Sequence, residues 1–118
     1  MQRGDIYHVN LPIKPLPGAS PLGHVQSGPR PAVIVQHGGG SPNLSTVLIV
    51  PITGSQKKQF QYSLFVQPSP TNGLTVPSTI LTHQLRAVDK SLITDYKGKL
   101  DPQLLQSLIA ELKAILSL

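Results

Sequence analysis

Apolar and polar residues alternate over residues 5–11, with Tyr7, Val9 and Leu11 on one side and Ile6, His8 and Asn10 on the other. A period of two predicts a first strand. Two denser runs follow. Residues 32–36 and 46–52, the second ending on Thr53, are continuous and rich in β-branched side chains, which predicts strands buried on both faces. Phe60, Tyr62, Leu64 and Val66 share one side of a further strand, residues 74–81 read as extended, and residues 85–88 as a short strand carrying Arg86. Beyond these the period changes. Leu92, Ile93 and Leu100 are spaced for a short connecting element, and Asp101-Pro102 supplies an N-cap and a proline for the first helical position. Leu104, Leu105, Leu108, Ile109, Leu112, Ile115 and Leu116 then trace one side at helical spacing. The expectation is a mainly β protein with a C-terminal helix whose apolar stripe packs on the sheet and extends into a dimer contact.

Between these elements lie turns. Residues 12–29 hold prolines at 12, 15, 17, 21 and 29 and glycines at 18, 23 and 28, a long connection of the kind that serves as a binding loop or lid. It carries Lys14, His24 and Gln26 and delivers the chain into Arg30. The glycine run after His37 lacks a Gly-Lys-Ser/Thr sequence and a following helix pattern, so it reads as a turn and not as a phosphate loop. Lys57 and Lys58 form a basic tip beside Thr53, and Asn72-Gly73 marks a turn. With 118 residues, 12 prolines and 10 glycines, residues 1–118 are expected to form one domain of short strands.

Charge sharpens this picture through its placement. The net charge is +5, and the excess comes from Lys14, Arg30, Lys57, Lys58 and Arg86. The stretch from Ile6 to Val88 contains no carboxylate. A polyanion meets no repulsive side chain there, which points to nucleic acid; on charge alone a mildly basic, sparsely charged domain is at least as good a reading, and it loses ground only beside Arg30 and Thr53. The same gap excludes a two-metal nuclease and a carboxylate-pair glycosidase. There is no cysteine, and His8, His24, His37 and His83 are too dispersed for a local zinc motif. No metal and no cofactor are expected. The start has no signal-type apolar segment and no run approaches membrane-spanning length, so the expectation is a cytoplasmic protein without membrane partners.

Arg30 stands at the mouth of one predicted buried strand and Thr53 at the tail of the next. As neighbours in a sheet they would bring a guanidinium and a hydroxyl to one phosphate. The competing reading of Arg30, a salt bridge locking the first loop, has Asp5 as its only nearby acid. His24 reads equally as a proton shuttle and as an exposed loop histidine. For Ser78 a capped strand end is favoured over a site role.

The order Arg3-Gly4-Asp5-Ile6-Tyr7, Arg30-Pro31-Ala32-Val33-Ile34-Val35, Val50-Pro51-Ile52-Thr53, Gly73-Leu74 with Ser78, and Gln84-Leu85-Arg86-Ala87-Val88-Asp89-Lys90 resembles the MazF/PemK toxin family along the whole chain. The resemblance implies a small SH3-like, CcdB-like twisted barrel and a homodimer that cleaves single-stranded RNA sequence-specifically. It also implies an acidic antitoxin with an extended C-terminal segment lying over the RNA groove. Carried over by position, it makes Arg30 and Thr53 catalytic. It likens Gly23-His24-Val25-Gln26 to a PemK loop motif in which a histidine follows the glycine, and His24 or His83 is the candidate acceptor of the 2′-OH proton, with His24 preferred. Lys14, Gln26, Lys57, Lys58, Ser78, His83 and Gln84 are the expected RNA contacts. The chain departs from the pattern at Val25 and His83, where acidic or polar residues are common, at Leu81, where PemK-like members have arginine, and in its longer loop.

The implied chemistry uses the substrate's own 2′-OH as nucleophile, giving a 2′,3′-cyclic phosphate and a 5′-OH end without metal. Arg30 would stabilise the phosphorane charge and Thr53 would donate to the same phosphate. Two alternatives are a CcdB-like gyrase-poisoning toxin and a noncatalytic RNA-binding barrel. The first carries a tryptophan-containing tail, and this chain has no tryptophan. The second usually offers aromatic platforms, and only five aromatic residues are present: Tyr7, Phe60, Tyr62, Phe65 and Tyr96.

Overall fold

A computed structural model describes residues 1–11, 28–39, 42–54 and 63–118. Its frame is an antiparallel sheet of seven strands: β1 (Asp5–Leu11), β2 (Gly28–Ile34), β3 (Thr46–Thr53), β4 (Leu64–Val66), β5 (Ser78–Ile80), β6 (Arg86–Asp89) and β7 (Ile93–Lys99). The spatial order is β4-β5-β3-β2-β1-β7, with β6 paired to the first half of β3. A helix, α1 (Pro102–Leu116), follows. The sheet twists like a barrel without closing, because β4 and β7 end the path. Among the described residues no helix is long and apolar enough to cross a membrane.

Alternation along the central strands sorts their side chains into two cores. Ile6, Val33, Val50 and Ile52 join Val66, Ile80 and Leu100 beneath α1, whose Leu108 and Leu112 close that core. Val9, Leu11, Ala32, Ile34, Val47 and Ile49 point the other way and pack with Val88, Leu92 and Ile93. The continuous apolar runs of β2 and β3 follow from this, since each strand feeds a core on both sides.

Three expectations about elements need correction. β2 begins at Gly28, four residues before the apolar run, because β1 accompanies it through Pro31 opposite His8 and Pro29 opposite Asn10. Proline fits extended backbone, and β3 is not paired with that part of β2, so no donor is needed on that edge. The stretch expected to be merely connecting contains β7, paired with β1 along residues such as Asp5 opposite Lys99 and Val9 opposite Ile93. The extended stretch 74–81 narrows to the three residues of β5. The expected strand positions Phe60 and Tyr62 lie outside the described residues.

α1 starts as its sequence dictates, with the Asp101 carboxylate accepting from the Gln103 N–H at 2.8 Å. Its stripe reaches the core only in the middle: Leu104, Leu105 and Ile109 are half-buried, whereas Leu116 is 52% exposed. At the N-terminus Asp5 is buried, accepting from Gln2 N–H at 2.8 Å and lying 4.0 Å from Lys99 Nζ. Arg3 Nε donates to the Val35 carbonyl at 2.9 Å, so Arg3 and Asp5 take separate partners. The Asn72-Gly73 turn is docked on β7: the Asn72 amide oxygen accepts from Ser69 and Leu74 N–H, both at 3.0 Å, and Lys99 N–H donates to the Thr71 carbonyl at 2.8 Å.

Candidate nucleic-acid interface

The site is built from the registers. Val9 of β1 is opposite Arg30 of β2. In the β2–β3 pair, Ala32 faces Pro51 and Val33 faces Val50; Arg30 and Thr53 lie two residues beyond Ala32 and Pro51 on their own strands, so by alternation each falls on the same side as its neighbour in that pair. The hydrogen-bonded ladder stops at Ala32 because Pro29, Pro31 and Pro51 have no N–H to extend it. On its other edge Thr53 is opposite Thr79 of β5, which is opposite Phe65 of β4. Directly opposed residues of antiparallel strands project to the same face. Arg30 and Thr53 therefore share a face, that of Ala32, Ile34, Val47 and Ile49.

Both residues are half-buried, as suits groups that must be held firmly and still reach a ligand. Among the described residues no carboxylate is within ion-pair distance of Arg30, and Asp5, its nearest acid in sequence, faces Lys99 instead. The neighbouring Tyr7 phenol, opposite Ala32, is held above its ordinary pKa by burial, with smaller contributions from Asp5 and Tyr96. Its ring meets Tyr96 edge-on at 5.3 Å.

Two of the residues expected to contact RNA, His83 and Gln84, sit on a 3₁₀ turn, Thr82–Gln84, between β5 and β6. The turn is tied to β3 by Leu81 N–H donating to the Pro51 carbonyl at 2.9 Å, two residues before Thr53. His83 is exposed, Gln84 is half-buried, and their side-chain nitrogens lie 3.5 Å apart. Ser78 is buried and its hydroxyl donates to the Val76 carbonyl at 2.8 Å, which is the geometry of a strand end. His24, Lys14, Gln26, Lys57 and Lys58 lie outside the described residues.

The Arg30–Thr53 face offers a guanidinium and a hydroxyl, which suits an anionic ester. Residues 2–116 match the family described as "PemK-like, MazF-like toxin of type II toxin-antitoxin system". The chain belongs to this family. It is similar to Endoribonuclease EndoA of Bacillus subtilis, 28% identical over all of this chain and 96% of that protein. It is also similar to Endoribonuclease MazF of Staphylococcus saprophyticus, 32% identical over 80% of this chain and 73% of that one. Among solved structures, MazF from Deinococcus radiodurans shares the fold with a TM-score of 0.78 at 18% identity, covering 100% of this chain and 97% of that one. An endoribonuclease in complex with its cognate antitoxin, from a mycobacterial species, has a TM-score of 0.72 at 20% identity, covering 100% and 96%.

One tie within this PemK/MazF-type chain had no signal in the sequence. Thr82 and Glu111 are 29 residues apart, yet the Thr82 hydroxyl donates to Glu111 of α1 at 2.8 Å.

Proposed function

We propose that this family member is a toxin acting as an endoribonuclease on single-stranded RNA. The observation that carries this reading is the shared face of Arg30 and Thr53 on adjacent strands. Arg30 neutralises the charge that gathers on the phosphorane oxygens, through a fixed, positively charged fork of donors. Thr53 donates a second hydrogen bond to the same phosphate. The nucleophile is the adjacent 2′-OH, held in line by these contacts. As the O2′–P bond forms, the P–O5′ bond breaks and the leaving 5′-oxygen takes a proton from solvent water, giving a 2′,3′-cyclic phosphate and a 5′-OH end without a metal. His24 is the proposed acceptor of the 2′-OH proton. Lys14, Gln26, Lys57, Lys58, His83 and Gln84 are the proposed RNA contacts, and Ser78, expected among them, instead holds the β5 end without touching the ligand.

The toxin works in the cytoplasm as a single-domain homodimer, neutralised by an acidic antitoxin whose extended C-terminal segment covers the groove. The relatives named endoribonucleases and the solved toxin–antitoxin complex support this reading. The decisive experiment incubates native protein and Arg30→Ala with a long RNA and with DNA in EDTA, then maps the ends. Cleavage of RNA alone, at a recurring short sequence with cyclic phosphate ends and lost in Arg30→Ala, is expected. Binding without cutting, or cutting only with added metal, would overturn the proposed chemistry.

A further inference from the structure

The 3₁₀ turn carrying His83 and Gln84 is too short to hold itself. It has three residues, its backbone closes through Gln84 N–H to Leu81 at 2.9 Å and Leu85 N–H to Thr82 at 3.3 Å, and Leu81 at its N-cap offers no side-chain acceptor. Such turns have poor hydrogen-bond geometry and take their orientation from what they are fastened to. Two fastenings are present. One is the Leu81–Pro51 backbone bond to β3. The other is the 2.8 Å bond from the fully buried Thr82 hydroxyl to the carboxylate of Glu111.

Glu111 is the chain's single glutamate, half-buried on α1 between the buried turns of Leu108 and Leu112. A carboxylate is a stronger acceptor than a neutral group, and this one fixes the rotation of the turn about the β3 tether. From the structure we infer that Glu111, through Thr82, is a positioning residue for RNA recognition. It sets the direction in which His83 and Gln84 present their side chains from a turn tethered to β3 at Pro51. The helix thereby acts on substrate binding and not only on the core. This inference rests on the RNA reading of Arg30 and Thr53.

The test uses a short oligoribonucleotide built on the cleavage site mapped for the native protein. Steady-state cleavage is measured for Thr82→Val, Thr82→Ser, Glu111→Ala and Glu111→Gln, alongside thermal melting. Losing a bond to a charged acceptor is expected to raise KM about fivefold to tenfold in Thr82→Val and Glu111→Ala, with kcat within about twofold of native. Thr82→Ser and Glu111→Gln, which keep a donor and an acceptor, restore native KM. His83→Ala/Gln84→Ala raises KM similarly, and adding Glu111→Ala to it costs nothing further, because coupled groups are not additive. A folded Glu111→Ala protein with native KM would overturn the inference, as would additivity with the double variant. Arg30→Ala separates the two levels. If it cleaves like the native protein, the RNA site itself is wrong. If it is inactive while Glu111→Ala keeps native KM, only the positioning role falls.

Discussion

At the scale of single residues, the proposed chemistry makes Arg30 and Thr53 unequal. Removing the guanidinium in Arg30→Ala takes away the main stabiliser of developing charge and is expected to cost ~10²–10³ in kcat. Arg30→Lys keeps the charge but loses the planar fork, so it should recover only part of that rate. Thr53→Val is nearly isosteric and removes only the donor, while Thr53→Ser should stay close to native. Rate measurements on the mapped oligomer at saturating RNA check the series. A different residue carries a pH expectation. The carboxylate of Asp89 accepts the Ser91 N–H at 2.9 Å, and backbone and side-chain bonds to Ser91 hold its pKa below the ordinary value. A depressed carboxylate stabilises the fold above the ordinary aspartate range and loses that contribution as the pH falls through its lowered folded pKa. Melting curves should therefore show Asp89→Ala below native near neutrality, with the gap closing in strong acid. The placement of Arg30 and Thr53 on neighbouring strands was legible in sequence because each flanks a conspicuous apolar run. Glu111 was not, because a helix stripe identifies apolar positions and says nothing about which polar side chain meets a distant threonine.

At the scale of elements, the strongest expectation concerns the turn docked on β7. Gly73 adopts φ +70, and a Cβ there would overlap the Lys97 carbonyl oxygen. Gly73→Ala thus combines a left-handed backbone penalty with a collision against main chain that cannot swing aside, and should cost more than about 2 kcal/mol in urea unfolding. The Asn-Gly dipeptide announced this turn; its docking partner was hidden. β7 reads poorly because most of Ile93–Lys99 is exposed. An edge strand with charges along it shows little alternation, and charges are how exposed edges avoid adding another strand. The start of β2 is hidden for the opposite reason, since Pro29 and Pro31 look like punctuation until β1 is seen beside them. The α1 cap was legible to the residue, because Asp-Pro has few other uses.

At the scale of the molecule, the two cores meet across the central strands, and α1 closes only the first. Leu108 is fully buried there. Leu108→Ala should destabilise by about 2–5 kcal/mol, read from the urea midpoint, with the denaturant slope unchanged if the fold stays cooperative. Ionic strength addresses the whole charge pattern. Because acids are absent from Ile6 to Val88, RNA affinity should fall steeply with salt. Lys57→Ala/Lys58→Ala should flatten the log–log slope by about 1.4, since each phosphate neutralised on a single strand contributes roughly 0.7. Fold class was legible at this scale because period, turns and cap all agreed. The sheet order was not, since strand partners such as β1 and β7 are far apart in sequence.

That pairing has a consequence for how the protein comes into being. β1 is flanked by β2 on one side and by β7 on the other, and Leu100 N–H then donates to the Gly4 carbonyl at 2.8 Å. β1 thus completes its pairing only once β7 has been made, and the core under it waits for α1. A chain truncated after Lys99 should show no cooperative melt by circular dichroism. A nascent polypeptide in which α1 is still unmade would then lack the folded face that Arg30 and Thr53 share, so any activity that depends on that face would arise only once α1 has left the ribosome.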